Sequence, residues 1–242
     1  MNISVNHIDS RALGRTVLDL SEVRKGDDFP PMERDYLAAE NPAYVACKLS
    51  VEDLSAIHLL EKHGFCFVEF QIRMSCNLTN AMGVSQYRYR FERVTTEEAL
   101  EPVLEIASSA FVDDRFSIDP LIPPGVSAER YRLYVINSFS SPDERVYRLV
   151  KEGTAETVAF KTHRILNDRE AMLLLGAPKQ EYQRTPIPVI NEYFELNLLR
   201  ERGIRKIYTH VSGRNYPIMN LEIKGVGFRV EAGFVVLRKH YA

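Results

Sequence analysis

From Ala171 to Val211 a short apolar run, a long helical stretch and a second apolar run follow one another, and this order constrains the fold more than any other feature. Ala171-Met172-Leu173-Leu174-Leu175 reads as a strand. Val189 to Arg202 has apolar residues at helical spacing, and Gly203 stops it as glycine stops many helices. Ile204 to Val211 reads as another strand. Helices and strands alternating in this way imply an α/β class.

The flanking sequence extends the pattern. Upstream, Tyr87 to Val94 predicts a strand, and Thr95-Thr96 cap a helix with Glu97 and Glu98 in its first turn. A proline-rich loop from Asp113 to Gly125 leads to a helix from Ala128 to about Phe139. Strands are expected at Val146–Lys151 and Thr157–Ile165, with Asn167-Asp168 as the turn before Ala171. Downstream, Tyr216 to Ile223 predicts a short helix and Phe228 to Lys239 a strand or hairpin. Nearer the start, Tyr44–Leu49 and Phe65–Ile72 read as strands around a helix carrying Leu54, Ile57 and Leu60. Ser50 and Asp53 have the spacing of a capping box there, and Gly64 ends the helix. The stretch Asn77–Gly83 is polar and bears a glycine, as a linker does. It divides the chain into residues 1–82, a β-α-β region, and residues 83–242, an α/β region with a mixed sheet.

Composition narrows the function classes. The chain has 242 residues, 45% hydrophobic and 26% charged, and suits one large domain or two small ones. A net charge of -2 supplies no global basic field for nucleic acid or an anionic membrane. No stretch approaches the ~20 apolar residues of a membrane span. Met1 to Asp19 lacks the charged start and apolar run of a signal peptide. Cys47, Cys66 and Cys76 have neither CxxC spacing nor an even count, so they are expected to be reduced, mostly buried thiols of a cytoplasmic protein, with no metal.

Leu173-Leu174-Leu175, Arg200-Glu201-Arg202-Gly203, Asn215 and Gly227-Phe228 follow in an order that resembles the GNAT superfamily of acyl-CoA-dependent N-acyltransferases. The resemblance implies a GNAT fold whose N-terminal β-α-β half is a partial second copy. A narrower resemblance joins Asp9–Arg15, Leu59–Phe65, Phe111–Phe116, Asp119-Pro120 and Tyr131–Ser138 to bacterial dTDP-fucosamine acetyltransferases. It implies a nucleotide-linked amino sugar as the acceptor, with Asp114, Arg115 and Asn137 as contacts. The implied co-substrate is acetyl-CoA or another acyl-CoA, the acceptor is a small-molecule amine, and a homodimer is compatible.

The resemblance places the phosphate-binding loop at Gln183-Arg184-Thr185-Pro186-Ile187-Pro188. Glycines there let successive backbone N–H groups approach an anion. Pro186 and Pro188 stand at the glycine positions, and proline has no N–H. Donor contacts then fall to Gln183, Arg184, Thr185, Ile187 and Val189, with Leu175 facing the thioester and Asn215 beyond the next strand. Where the family has a tyrosine acid, this chain has Glu222, which is an acid if burial keeps it neutral and a solvated helix residue otherwise. His163, on a strand that lines the family's acceptor cleft, is a candidate base. Three readings follow: an acyl-CoA-dependent N-acyltransferase, an enzyme taking its acyl group from an acyl carrier protein, and a GNAT-shaped binding protein without catalysis.

Overall fold

The computed structural model describes residues 1–111 and 114–241. The element order is β1 (Asn2–Val5), α1 (His7–Leu13), β2 (Val17–Ser21), α2 (Phe29–Glu40), β3 (Tyr44–Ser50), α3 (Leu54–Lys62) and β4 (Cys66–Asn77). It continues with β5 (Tyr89–Arg93), α4 (Glu97–Ala110), α5 (Val126–Ser140), β6 (Glu144–Lys151), β7 (Thr157–Asn167) and β8 (Glu170–Pro178). It ends with α6 (Ile187–Glu201), β9 (Lys206–Ser212), α7 (Tyr216–Asn220) and β10 (Arg229–His240). The strands form one ten-stranded sheet in the order β1-β2-β3-β10-β4-β9-β8-β7-β6-β5. The pairs β2–β3 and β8–β9 are parallel and the others antiparallel, so the sheet is mixed.

Strand alternation sends successive side chains to opposite faces, and each face meets its own helices. Cys47 and Leu49 pack with Phe29 and Tyr36 of α2 and Ile57 and Leu60 of α3. Met74 and Val211 pack with Leu196 and Leu199 of α6. On the other face, Phe160 and Val146 meet Val103 and Leu104 of α4 and Val135 of α5. Val17 and Tyr44 meet Phe116, Ile122 and Val126 there.

The last strands of the two sequence regions are exchanged. β10 lies between β3 and β4, and β4 lies between β10 and β9. Backbone hydrogen bonding therefore runs unbroken across the polar stretch near Met82.

Local chemistry departs from the sequence expectations at several points. The cap of α3 is Asp53, whose side chain accepts from the Ala56 N–H at 3.1 Å, while Ser50 Oγ accepts from the Glu52 N–H. A residue one turn later thus competes successfully with the serine for the helix start. Thr96 caps α4 as its sequence implies. The single short helix expected from Tyr216 to Ile223 is α7 followed by a π-helical turn, Leu221–Val226. Gly203 adopts φ 91°, the left-handed region that stops α6. Four elements before Tyr44 have too little periodicity to be read from sequence.

Candidate active site

The strands β8 and β9 pair only through Glu170–Lys206, Ala171–Ile207 and Met172–Tyr208. Beyond those positions β8 continues to Pro178 and β9 to Ser212, so the sheet opens into a wedge.

A buried charge cluster lies on the α6 side of this wedge. Lys161 of β7 forms an ion pair with Glu192 and lies 3.4 Å from Glu195, both on α6. Gly176 of β8 leaves room for the lysine shaft, because a Cβ there would collide with it. His163, two positions along β7, places Nδ1 3.0 Å from Glu195 Oε1 and stacks on Tyr147. His163 is 0% exposed and shares its sheet face with Lys161, toward α6 and away from α4 and α5. The resemblance placed it on the acceptor side; the structure places it inside the α6 core.

Glu222 completes the cluster from the π-helical turn, which α6 touches through a Tyr193 hydroxyl donating to Gly225 O at 3.4 Å. At 4% exposure it is not a solvated helix residue. Burial, then the charge of Glu192, push its pKa up to about 9, with Lys161 opposing. Burial likewise raises the Glu192 pKa. Glu222 interacts with Lys161 on β7 and with Cys76 on β4. Those strands flank β8 and β9, so Glu222 lies on the α6 face of the sheet near that pair of strands. Glu222 Oε2 and His163 Nε2 are buried without a hydrogen-bond partner among the described residues.

The start of α6 shows how little of the expected anion cradle remains. The N–H groups of Gln183 and Thr185 donate to Gln180 O and Tyr182 O. The Ile187 N–H donates to Thr185 Oγ1 at 3.2 Å. Pro186 caps the helix and Pro188 sits in its first turn, where proline's fixed φ is favourable. Of the loop amides, those of Arg184 and Val189 remain without an acceptor among the described residues. This end of α6 does not fit a pyrophosphate gripped by a run of backbone amides. The Leu175 N–H donates to Thr162 Oγ1 at 3.0 Å, so it faces β7 instead of the wedge. Asn215 caps α7 by accepting from the Ile218 N–H at 3.3 Å.

The three acceptor candidates do not form one group. Asp114 accepts from the Phe116 N–H and from the hydroxyls of Ser117 and Ser127, which organises the loop. Arg115 pairs with Glu69 at 3.1 Å. Asn137 lies near the other end of α5 from Ser127, roughly 15 Å away by helical rise. It lines a separate depression of about 470 Å³ with Asp143, Glu144 and Arg164. The neighbouring Val112 and Asp113 lie outside the described residues. Cys47 and Cys76 are buried and Cys66 is exposed, all as free thiols. Among the described residues no group of three His, Cys, Asp or Glu side chains is arranged to hold a metal. None of the described helices is long and apolar enough to cross a membrane.

Sequence reasoning missed Lys161, Glu192 and Glu195. The only available signal was a pair of glutamates one turn apart on α6, which also describes a solvated face.

The wedge, the helix layers and the strand order define a GNAT fold. A GCN5-related N-acetyltransferase from Sphaerobacter thermophilus is similar over 98% of this chain and 76% of its own, with a TM-score of 0.66 and 14% identity. A tandem GNAT protein from the clavulanic acid biosynthesis pathway is similar over 93% of this chain and 75% of its own, with a TM-score of 0.63 and 12% identity. A functionally unknown conserved protein from Staphylococcus epidermidis ATCC 12228 has a TM-score of 0.67 at 9% identity, over 97% of this chain and 89% of its own. No protein-family profile and no curated protein sequence matches the chain.

Proposed function

We propose that the chain is an N-acyltransferase that moves an acyl group from a pantetheine thioester to a small-molecule amine. The observation that carries this reading is Glu222, a buried carboxyl on the α6 face near the β8–β9 wedge, where burial and the charge of Glu192 favour its protonated form at neutral pH. In the reaction the amine nitrogen bonds to the acyl carbon, the carbon–sulfur bond breaks, and sulfur departs as a thiolate. An ordinary thiol has a pKa of about 8.5, so Glu222 holds a proton at neutral pH and is matched to deliver it. The amine releases its own proton to solvent, which recharges the carboxyl. Lys161, Glu192, Glu195 and His163 are positioning residues that set the field around Glu222.

Acetyl-CoA is the donor that the fold's relatives suggest, a nucleotide-linked amino sugar is one acceptor, and the cytoplasm is the corresponding compartment. The spent amides at the start of α6 favour a second reading, in which the donor is an acyl carrier protein. Lys179 and Arg184, at that end of α6, are the basic residues that would meet its acidic surface; Arg200 and Arg205 lie at the other end of the helix, roughly 20 Å away.

The test is thiol release and amide formation from acetyl-CoA and from acetylated carrier protein, each against a panel of amines. Replacing Glu222 by Gln should lower kcat by about 10²–10⁴-fold. A thioester of a strongly acidic aryl thiol needs no proton and should recover most of that loss. Absence of amide from either donor, or a Glu222→Gln variant at full rate, sinks the proposal.

A further inference from the structure

The sheet face opposite α6 carries an arrangement that the acid at Glu222 does not use. Lys48 alternates with Cys47 and Leu49, Arg73 with Ile72 and Met74, and His210 with Val211. Those apolar neighbours belong to the α2, α3 and α6 cores, so Lys48, Arg73 and His210 project to the opposite side. Strand register brings them together. Arg73 is paired with His210 across β4 and β9, and Phe234 of β10 lies between Ser50 and Gln71. The Lys48 ammonium sits 4.6 Å from the centre of the Phe234 ring, and the His210 ring packs on Phe234 at 5.9 Å. Arg115 reaches the same area from the loop before α5, where it meets Glu69 of β4.

The charges are unevenly compensated. Glu69 is held by Arg115 at 3.1 Å and by Gln71 at 2.7 Å, and Glu231 by Arg73 at 3.4 Å. Among the described residues no carboxylate lies within salt-bridge reach of Lys48. His210 also borders the wedge, one step past the last β8–β9 pair on its side of the sheet.

We propose that this face, formed by Lys48, Arg73, Arg115 and His210 around Phe234, binds an oxyanion, phosphate or carboxylate, carried by the amine acceptor. The word acceptor rests on the acyl-transfer reading; anion binding does not. Titration agrees with the geometry. Partial desolvation, then Arg115 and Arg73, lower the Lys48 pKa to about 8, with Glu69 opposing. Partial desolvation, then Lys48 and Arg73, lower that of His210 to about 4. An anion seated among these groups relieves the repulsion and raises both values, which leaves His210 a stronger base beside the wedge.

The experiment is calorimetry on the full chain, without acyl donor, using phosphoethanolamine, β-alanine and ethanolamine. Charge-assisted hydrogen bonds predict that at least one anionic amine binds about tenfold or more tightly than ethanolamine. Comparison of the first two probes distinguishes phosphate from carboxylate. Lys48→Met and Arg73→Met should each weaken the anionic probe several-fold with thermal unfolding unchanged. The His210 ring resonances should titrate at higher pH in the presence of that probe. Equal binding of all three amines, or unchanged affinity in the folded double variant, overturns the proposal. Failure of acyl transfer with intact anion binding overturns the acyl-transfer reading alone.

Discussion

His163 Nδ1 lies 3.0 Å from Glu195 Oε1, with both side chains 0% exposed. This contact joins β7 to α6 through polar atoms in a place where apolar packing would suffice. Lys161 does the same with Glu192, so one strand and one helix share a buried charge network. Such a network is a costly way to hold two elements together unless it also serves a site.

Among the described residues, Lys161 is the cation that the two helix glutamates share. Lys161→Met is expected to cost roughly 3–5 kcal/mol, because Glu192 is left buried without its ion-pair partner and Glu195 keeps only His163. Urea unfolding measures this. The triple variant Lys161→Met, Glu192→Gln, Glu195→Gln should regain much of the loss. A single variant as stable as the parent would show the network to be dispensable.

Stability should depend on pH through Glu222. Its folded pKa, about 9, lies above the ordinary carboxyl value of 4.5. The folded state therefore holds a proton that the unfolded chain has released, and stability present below pH 4.5 is lost as pH rises toward 9. The groups facing Glu222 are Lys161 from β7, Glu192 and Glu195 from α6 and Cys76 from β4. Melting temperature should fall between pH 5 and 9, and Glu222→Gln should flatten the slope. Identical slopes in the two proteins would mean that Glu222 is ionised in the folded state.

Two missing N–H groups at the start of α6 make a prediction about the donor. Pro186→Gly and Pro188→Gly together supply two amides where none exists. Acetyl-CoA affinity measured by calorimetry should rise several-fold, at a modest loss of stability from the freer helix start. Unchanged affinity would point away from this loop as the limit on donor binding.

The exchanged strands predict the behaviour of a nicked chain. Residues Thr79–Ala81 and Ser85-Gln86 are exposed between β4 and β5. Cleavage there should leave two fragments that co-elute on gel filtration and separate only in denaturant. Separation under native conditions would contradict the strand order.

The GNAT fold was legible because its markers are local. Gly203 needs a left-handed turn, Thr96 accepts from a helix N–H, and the leucine run at Leu173 lies in a strand between two helix layers. The site was less legible because its meaning is set across the sheet. Glu222 reads as an ordinary helix glutamate until Glu192, from a different element, is placed against it. Leu175 looked available to a thioester, but a β-bulge turns its amide to Thr162. His163 was read by strand alone, without the face to which alternation assigns it. Lys48, Arg73 and His210 come from three strands, and only the register of β10 and β4 brings them to one surface.

The position of β10 also bears on how the protein is made. Residues 229–240 are the strand between β3 and β4, yet they are translated after every other described element. While they remain in the ribosome, β3 and β4 both present open edges, and unpaired edges invite association with other chains. The sheet closes only once the ribosome has released this strand. Nascent chains stalled before Arg229 should therefore depend on chaperones that shield strand edges, and chains that include residues 229–240 should not.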